Sequence, residues 1–370
     1  GYVTLPMVSL ASILISTDTI MFPFLALALL GYLRLLERGG TGTAALTGIA
    51  LGLAFLSKYA AIYYLICAIL AALFVRGARP RFADALVVLA LFGLVISPNI
   101  LWNMQHGFTT LEHTLDNADW VRDPGARAGL NFDQLAGFLG AQFAVFGPVL
   151  FGGLIWLSLR AGRAGPERQF LLLFALPIIA IVCVQALLSK AYANWAAAAY
   201  LAGTVAVMPW LTRPWRVVAF AINGMVAVML PLVGVYAESL VFGPQDRLVA
   251  ARYLGRAEMS RAIIDAARSE GLDSVVAENR DMLADLFYTG RDSGLHFFAL
   301  PPQGRAPHHY ALKYPLPDDL EGEVLFVTNS ATAPACAAEK APQATISPER
   351  GTYRGKTWYL FRLPADCWTR

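Results

Sequence analysis

Charge is scarce in this chain. Of its 370 residues only 15% are Asp, Glu, Lys or Arg, against 57% hydrophobic residues, and the mean hydropathy is +0.52. These proportions exclude an ordinary soluble globule, in which about a quarter of the residues are charged. The net charge of +3 is small, and no basic stripe of the kind needed for nucleic-acid binding is present. Familiar catalytic signatures are missing as well. There is no His-Glu-x-x-His, Gly-x-Ser-x-Gly or Cys-x-x-Cys, so metalloprotease, serine hydrolase and thiol redox chemistry have no residues to stand on. Without a Gly-x-Gly-x-x-Gly or a P-loop, a nucleotide site is unsupported. The absence of any Asp-x-Asp pair argues against an enzyme that holds a nucleotide sugar through a carboxylate-bound metal.

Cysteine is also sparse, and the four present divide by surroundings. Cys67 and Cys183 lie in apolar stretches and read as small hydrophobes. Cys336 and Cys367 lie in the polar tail, where the choice is between a disulfide and two free thiols. A disulfide is expected if the tail lies in an oxidising compartment.

What the sequence does have is alternation. Between Ile20 and Tyr236, apolar stretches of spanning or nearly spanning length alternate with turns that are arginine-rich every second time. The rich turns carry Arg34 and Arg38; Arg76, Arg79 and Arg81; Arg160, Arg163 and Arg168; and Arg213 and Arg216. The intervening turns hold only Lys58, then Arg122 and Arg127, then Lys190. Short loops with excess Lys and Arg stay in the cytoplasm, so the sparse turns and everything after Tyr236 are expected outside. At roughly 20 apolar residues per span, the stretches read as about nine apolar helices near 2–15, 19–36, 44–57, 59–75, 85–101, 135–159, 170–189, 196–211 and 217–236. Gly48 and Gly52, four residues apart, would let one of them approach a neighbour closely. Gly1 is not a start methionine, and Tyr2 to Ile15 resembles the tail of a spanning helix rather than a signal peptide. At least one segment upstream is expected.

The expected division is a multi-pass transmembrane domain over 1–236 and a soluble α/β domain over 237–370, outside the membrane. In the latter, 247–269 has helical periodicity, 273–277, 295–300, 323–327 and 357–363 read as strands, and 279–289 as a helix.

Candidate chemistry gathers on the sparse turns. Asp18, in Ser16-Thr17-Asp18-Thr19, is either a helix cap or part of a site that holds a divalent cation or a polar acceptor beside a phosphate. Lys58 is either a lysine snorkelling to the interface or a fixed positive charge for a lipid phosphate. The run from Ser97 to Phe108 opens a long outer loop, 102–134, which is acidic and aromatic. Trp102 suits an interfacial belt, and Asn103, Gln105, His106 and, further on, His113 offer hydrogen-bonding groups where a sugar would lie. Two histidines seven apart with acids nearby match no familiar metal-ligand spacing. The last short outer turn presents Lys190, Tyr192, Asn194 and Trp195, either as an interfacial belt or as a second polar wall of one cavity.

At these residues the chain resembles the C-type membrane glycosyltransferases, in the branch of the protein O-mannosyltransferases and lipid A aminoarabinose transferases. The likeness rests on Ser16-Thr17-Asp18, on Gly48 to Lys58 ending in Leu-Ser-Lys-Tyr, on Ser97 to Asp116, and on Tyr192 to Tyr200. Asn279-Arg280-Asp281 and His308-His309-Tyr310 extend it into the tail. The resemblance implies an α-helical polytopic membrane protein of the C-type glycosyltransferase fold with a C-terminal soluble α/β domain. It would sit in a bacterial inner membrane with that domain periplasmic. The activity implied is transfer of one sugar from a polyprenyl-phosphate donor to a lipid A, glycan or protein acceptor.

Asp18 matches the family's second acidic position, Lys58 a basic position, and Asn103 to His106 the loop that covers the donor. The family's first acidic position, thought to activate the acceptor hydroxyl, is expected upstream of Gly1. Asp18 and Lys58 are thus the expected catalytic pair, with Asp18 also the candidate ligand for Mg or Mn. Trp102, Asn103, Gln105, His106, His113, Tyr192 and Asn194 are the expected substrate contacts. The competing readings are a transporter or flippase for lipid-linked sugars, and a catalytically incomplete homologue that serves as a membrane anchor.

Overall fold

The computed structural model describes residues 1–14, 16–117, 129–243, 247–302, 304, 306–338 and 340–368, leaving out the side chain of His113. Arg122, Arg127, Asp119 and Asp123 of the long loop over 102–134 lie outside the described residues. The chain separates into two compact units, Gly1–Leu232 and Val233–Arg370.

The first unit is all helical. In chain order its helices are α1 (Pro6–Ile13), α2 (Thr17–Glu37), α3 (Thr41–Ser57), α4 (Ile62–Phe74), α5 (Phe82–Gln105), α6 (Thr109–Asn117), α7 (Phe132–Val145), α8 (Pro148–Ser158), α9 (Pro166–Leu173), α10 (Leu176–Leu188), α11 (Ala199–Val207) and α12 (Arg213–Val235). Four continuous stretches among the described residues are long and apolar enough to cross a membrane: α2, α5, α9 with α10, and α12. The chain is a multi-pass membrane protein.

The stretch read as one span over 135–159 is instead folded back by 118° between α7 and α8. Its cause is local. Gly147 adopts φ 92°, in the left-handed region that favours glycine, and Pro148 follows at the first helical position.

Small residues set the spacing of the helices that carry the site. A Cβ on Gly31 of α2 would lie 2.1 Å from Thr47 Oγ1 of α3, and one on Gly48 would lie 2.4 Å from the Val88 carbonyl of α5. A Cβ on Gly52 would come within 2.7 Å of Val95. Thus α3 is wedged between α2 and α5 at distances only glycine permits.

This wedge aligns the ends. At one end, the Gly40 amide donates to Asp84 Oδ2 at 3.3 Å and Tyr32 Oη donates to the Ala78 carbonyl at 2.9 Å. These bonds gather the arginine-bearing α2–α3 and α4–α5 turns. At the other end stand the start of α2 and the close of α3, a full helix length away, about 30 Å for α2.

The second unit holds a sheet of order β4-β3-β5-β7-β6 and a short antiparallel hairpin, β1 (Val241–Phe242) with β2 (Arg247–Leu248). In the sheet, β3 (Ser274–Ala277) runs parallel to β4 (His296–Ala299) and β5 (Glu323–Thr328). Antiparallel to β5 and β6 (Ala344–Ile346) is β7 (Trp358–Pro364). The helices are α13 (Arg256–Ser269), α14 (Arg280–Thr289), capped by Asn279, and the short α15 (His309–Lys313), capped by His308.

Strand residues alternate between two cores. Val275, Leu325, Val327 and Leu360 join Ile263 and Leu286 on one face. On the other, Val276, Phe326, Phe361 and Leu363 join Cys367. Cys336 and Cys367 are joined as a disulfide, Cα–Cα 5.4 Å, which staples this second face.

Candidate active site

Asp18 lies in the first turn of α2, but it does not cap it. Ser16 does, its Oγ accepting from the Thr19 amide at 3.4 Å. That leaves the carboxylate, whose side chain is only 8% exposed, free to turn into the bundle. Lys58 closes α3 with an extended backbone, φ −159° and ψ 129°, so its side chain departs from the helix axis. Its Nζ donates to Asp18 Oδ1 at 2.7 Å. Asn194, in the 3₁₀ turn Ala193–Ala196, donates from Nδ2 to Asp18 Oδ2 at 3.1 Å. Three hairpins far apart in sequence therefore converge on one carboxylate.

The turn that brings Asn194 is held from within. Gln142, fully buried in α7, donates from Nε2 to the Phe138 carbonyl at 2.9 Å and to the Ala193 carbonyl at 3.3 Å. The Tyr200 hydroxyl donates to Gln142 Oε1, and the Tyr200 ring stacks on Phe146 at 4.1 Å. Tyr64 Oη reaches the Ala198 carbonyl at 3.2 Å. Buried polar groups with every partner in place fix geometry tightly. A substitution at Gln142 would therefore act on Asn194 without touching it.

Beside Lys58 opens a cavity of about 660 Å³, walled by α4, α6 and α10 and lined by Lys58, Tyr59, Tyr63, Thr114, Gln185 and Trp195 among apolar neighbours such as Ile181 and Leu188. Its mixture of one cation, hydroxyls and hydrocarbon suits an amphiphile with a charged group near its head.

The 102–106 stretch is organised differently from the sequence expectation. The Trp102 and His106 rings stack at 4.0 Å, and His106 Nδ1 lies 2.8 Å from the Trp102 carbonyl. Asn103 is buried. Its Nδ2 donates to the Asn99 carbonyl at 2.9 Å, and its Oδ1 accepts from the Thr110 amide at 3.2 Å and from the Thr110 hydroxyl. Asn103 thus locks the turn from α5 into α6. The turn passes through Gly107 and Phe108, both at positive φ. Gln105 is exposed, and the His113 side chain lies outside the described residues. Tyr192 is 57% exposed, with its ring against Trp195 at 5.5 Å. So Asp18, Lys58 and Asn194 are brought together, Tyr192 borders them through Trp195, and the Trp102–His106 group forms a neighbouring structural cluster.

Sequence reasoning passed over Tyr59, Asn99 and Thr110. Tyr59 Oη donates to Asn99 Oδ1 at 2.9 Å and lies 2.9 Å from Thr110 Oγ1, which ties the residue after Lys58 to the end of α5. The only available signal was adjacency to Lys58 and the polar Asn99 within an apolar helix.

As a metal site the arrangement is poor. Among the described residues no group of three or more His, Cys, Asp or Glu side chains gathers anywhere. Both Asp18 oxygens already face donors, an ammonium and an amide. A cation cage needs several converging oxygens instead.

The comparisons with known proteins agree with the helical architecture. The sequence pattern of the dolichyl-phosphate-mannose-protein mannosyltransferase family matches residues 2–102, which contain Asp18 and Lys58. The chain is 38% identical, over an alignment of 373 positions covering 99% of it and 77% of the relative, to the lipid A galacturonosyltransferase RgtD of Rhizobium johnstonii. No solved structure matches. With identity at that level over nearly all of its length, the chain belongs to the C-type membrane glycosyltransferase family that includes this lipid A enzyme.

Proposed function

We propose that this protein transfers a sugar from a polyprenyl-phosphate carrier to a hydroxyl of an envelope acceptor, lipid A first among the candidates, on the outer face of a bacterial inner membrane. The observation that carries the reading is the convergence of Lys58, Asp18 and Asn194 beside an amphiphilic cavity at the arginine-poor end of the bundle. The positive-inside bias supports placing that end outside. The C-terminal unit then faces the periplasm, where a disulfide such as Cys336–Cys367 persists. The acceptor is inferred from the relative, which is a lipid A galacturonosyltransferase.

In this reading the acceptor oxygen attacks the anomeric carbon and loses its proton to a base. The bond from that carbon to the phosphate oxygen breaks, and the electron pair leaves with the polyprenyl phosphate. Negative charge grows on the phosphate as the sugar becomes oxocarbenium-like. Lys58 is the cation aimed at that charge, with Asp18 and Asn194 as positioning residues that hold its ammonium at the cavity wall. A preorganised donor of this kind contributes roughly 3–4 kcal/mol to the transition state. Tyr59, Tyr63 and Trp195 offer surfaces for the carrier's first isoprenyl units and the sugar. Because the donor set around Asp18 does not fit a divalent cation, no step here is routed through one.

The direct test is transfer of radiolabelled sugar from a polyprenyl-phosphate donor to lipid A in membranes holding the wild-type chain or K58A. Transfer by the wild type and its loss in a K58A protein that still inserts would support the reading. Equal transfer by both would refute the role of Lys58, and no labelled product from any polyprenyl donor would refute the donor class.

A further inference from the structure

A second cavity, of about 450 Å³, opens at the arginine-rich end, between α2, α3, α4 and α5. Tyr32, Ala68, Ala72, Ala85 and Phe174 line it, with Arg79 at its rim. Its interior offers a ligand no free hydroxyl proton, because each side-chain hydroxyl already donates to a carbonyl. Tyr32 Oη donates to the Ala78 carbonyl at 2.9 Å, Thr47 Oγ1 to the Thr43 carbonyl at 2.7 Å, and Tyr64 Oη to the Ala198 carbonyl at 3.2 Å. What fills such a space is hydrocarbon. The neighbouring outer surfaces are apolar and exposed, with Leu73 at 60% and Phe82 at 78%, as expected of lipid-facing helix ends.

The rim is a different environment. Arg79 Nε donates to the Ala72 carbonyl at 2.8 Å, one of the last-turn carbonyls of α4 that lack an intrahelical partner. The bond anchors the guanidinium, and among the described residues no hydrogen bond or ion pair engages its two terminal nitrogens. Arg76 and Arg81 flank it in the same turn, and no Asp or Glu lies between Val75 and Arg81. A fixed guanidinium with two donors matches a phosphate oxygen pair. Basic clusters between spanning helices select anionic lipids in the same way.

We propose that this crevice binds one anionic phospholipid from the leaflet facing the arginine turns. An acyl chain would lie between α2 and α5 and the phosphate would rest on Arg79. Neither the nature of the sugar donor nor the role of Lys58 enters this inference, so the two stand or fall separately.

The test is native mass spectrometry of the full-length protein released from bilayers of phosphatidylglycerol and phosphatidylethanolamine in equal amounts. The wild type should retain phosphatidylglycerol preferentially, at one molecule per chain. R79Q, which keeps a long polar side chain but loses the charge, should lower that retention about fivefold, the worth of one basic residue at an anionic surface. R79K, which keeps the charge but loses the fork, should fall between R79Q and the wild type. A85W, which fills the crevice, should abolish the retained lipid. R213Q, in another basic turn, should leave it unchanged. Equal retention of the two phospholipids, wild-type retention by R79Q, or lipid still held by a folded A85W would each overturn the proposal.

Discussion

Lys58 Nζ rests 2.7 Å from Asp18 Oδ1, joining the end of α3 to the start of α2 in a pair whose carboxylate is nearly out of solvent and whose lysine is 23% exposed. Such a pair is expensive to break from one side, because the remaining charge is left without its partner. Removing either group alone should therefore lower stability by roughly 3 kcal/mol. Removing both together should cost distinctly less than the sum. Activity should divide differently. K58A should lower the rate of transfer by about 10²–10³-fold, as loss of a preorganised donor to the leaving group does. D18N retains a hydrogen-bonding group beside Asn194 and should fall less. The double-mutant cycle, run on both thermal midpoint and turnover, separates a purely structural pair from a catalytic one. Equal losses of turnover for all three variants, tracking stability, would favour the structural role.

The close packing of α3 should be equally measurable. A side chain at Gly48 meets the Val88 carbonyl at 2.4 Å, a backbone atom that cannot swing aside. G48L should therefore destabilise the first unit by roughly 1–3 kcal/mol or more. Gly93 on α5 has nothing within 4 Å of an added Cβ. G93A should be neutral or stabilise by about 0.5–1 kcal/mol, since alanine is the better helix former. Thermal midpoints in one detergent compare the two directly.

How much of this was legible beforehand depended on the length scale of each signal. Apolar runs and arginine bias are properties of tens of residues, and they revealed the multi-pass architecture. Gly48 and Gly52 showed the close crossing because residues four apart lie on one helix face, and two glycines there leave the backbone bare to a neighbour. The fold-back between α7 and α8 depends on one Gly-Pro step, Gly147-Pro148, inside a run of otherwise uniform hydropathy, and averaging conceals it. The separate roles of Asn103 and Asn194 were invisible for a related reason. Both are asparagines at the arginine-poor end of an apolar segment. Only tertiary contact shows that one faces Thr110 in its own turn while the other reaches Asp18, 176 residues away. In the second unit β3 and β5 were readable as short apolar runs, since both are buried on two faces, whereas β6, with three residues, was too short to show one.

The question of a metal has a simple readout. Asp18 offers one carboxylate whose two oxygens already accept from Lys58 and Asn194. If the ammonium supplies the positive charge at the leaving phosphate, transfer in washed membranes should survive EDTA within about twofold. It should also gain little from added Mg or Mn. A loss of tenfold or more on chelation, restored by one of those ions, would mean that the carboxylate exchanges partners during the reaction.

The disulfide should matter to the second unit alone. Closing a loop over a sequence separation of 31 residues contributes on the order of 3–4 kcal/mol in the chain-entropy account. Reductant, or the double substitution C336S and C367S, should therefore speed proteolysis within residues 233–370 of the full-length protein. Cleavage in the first unit should not change. Unaltered digestion after complete reduction would mean that the sheet face around Phe326 and Phe361 holds without the bridge.

Glu278, at the end of β3, gives the second unit a pH dependence of definite sign. It is exposed as a residue, yet partial burial of its carboxyl raises its pKa above the ordinary glutamate value of 4.5. A long hydrogen bond from Thr328 Oγ1, 3.4 Å, opposes this only weakly. The folded unit therefore keeps its proton to higher pH than the unfolded chain does. Wherever the folded state binds more protons, stability falls as pH rises. The contribution is complete below the unfolded value and is lost as pH climbs through the raised folded one. Solvent at the exposed side keeps the effect modest. Amide protection of β3 and β5 in the full-length protein should accordingly rise when pH is lowered from about 7 to about 5. In E278Q, which is neutral throughout, that part of the slope should vanish. A wild-type profile that falls on acidification, or an E278Q profile with the same slope, would show that other carboxylates dominate the response.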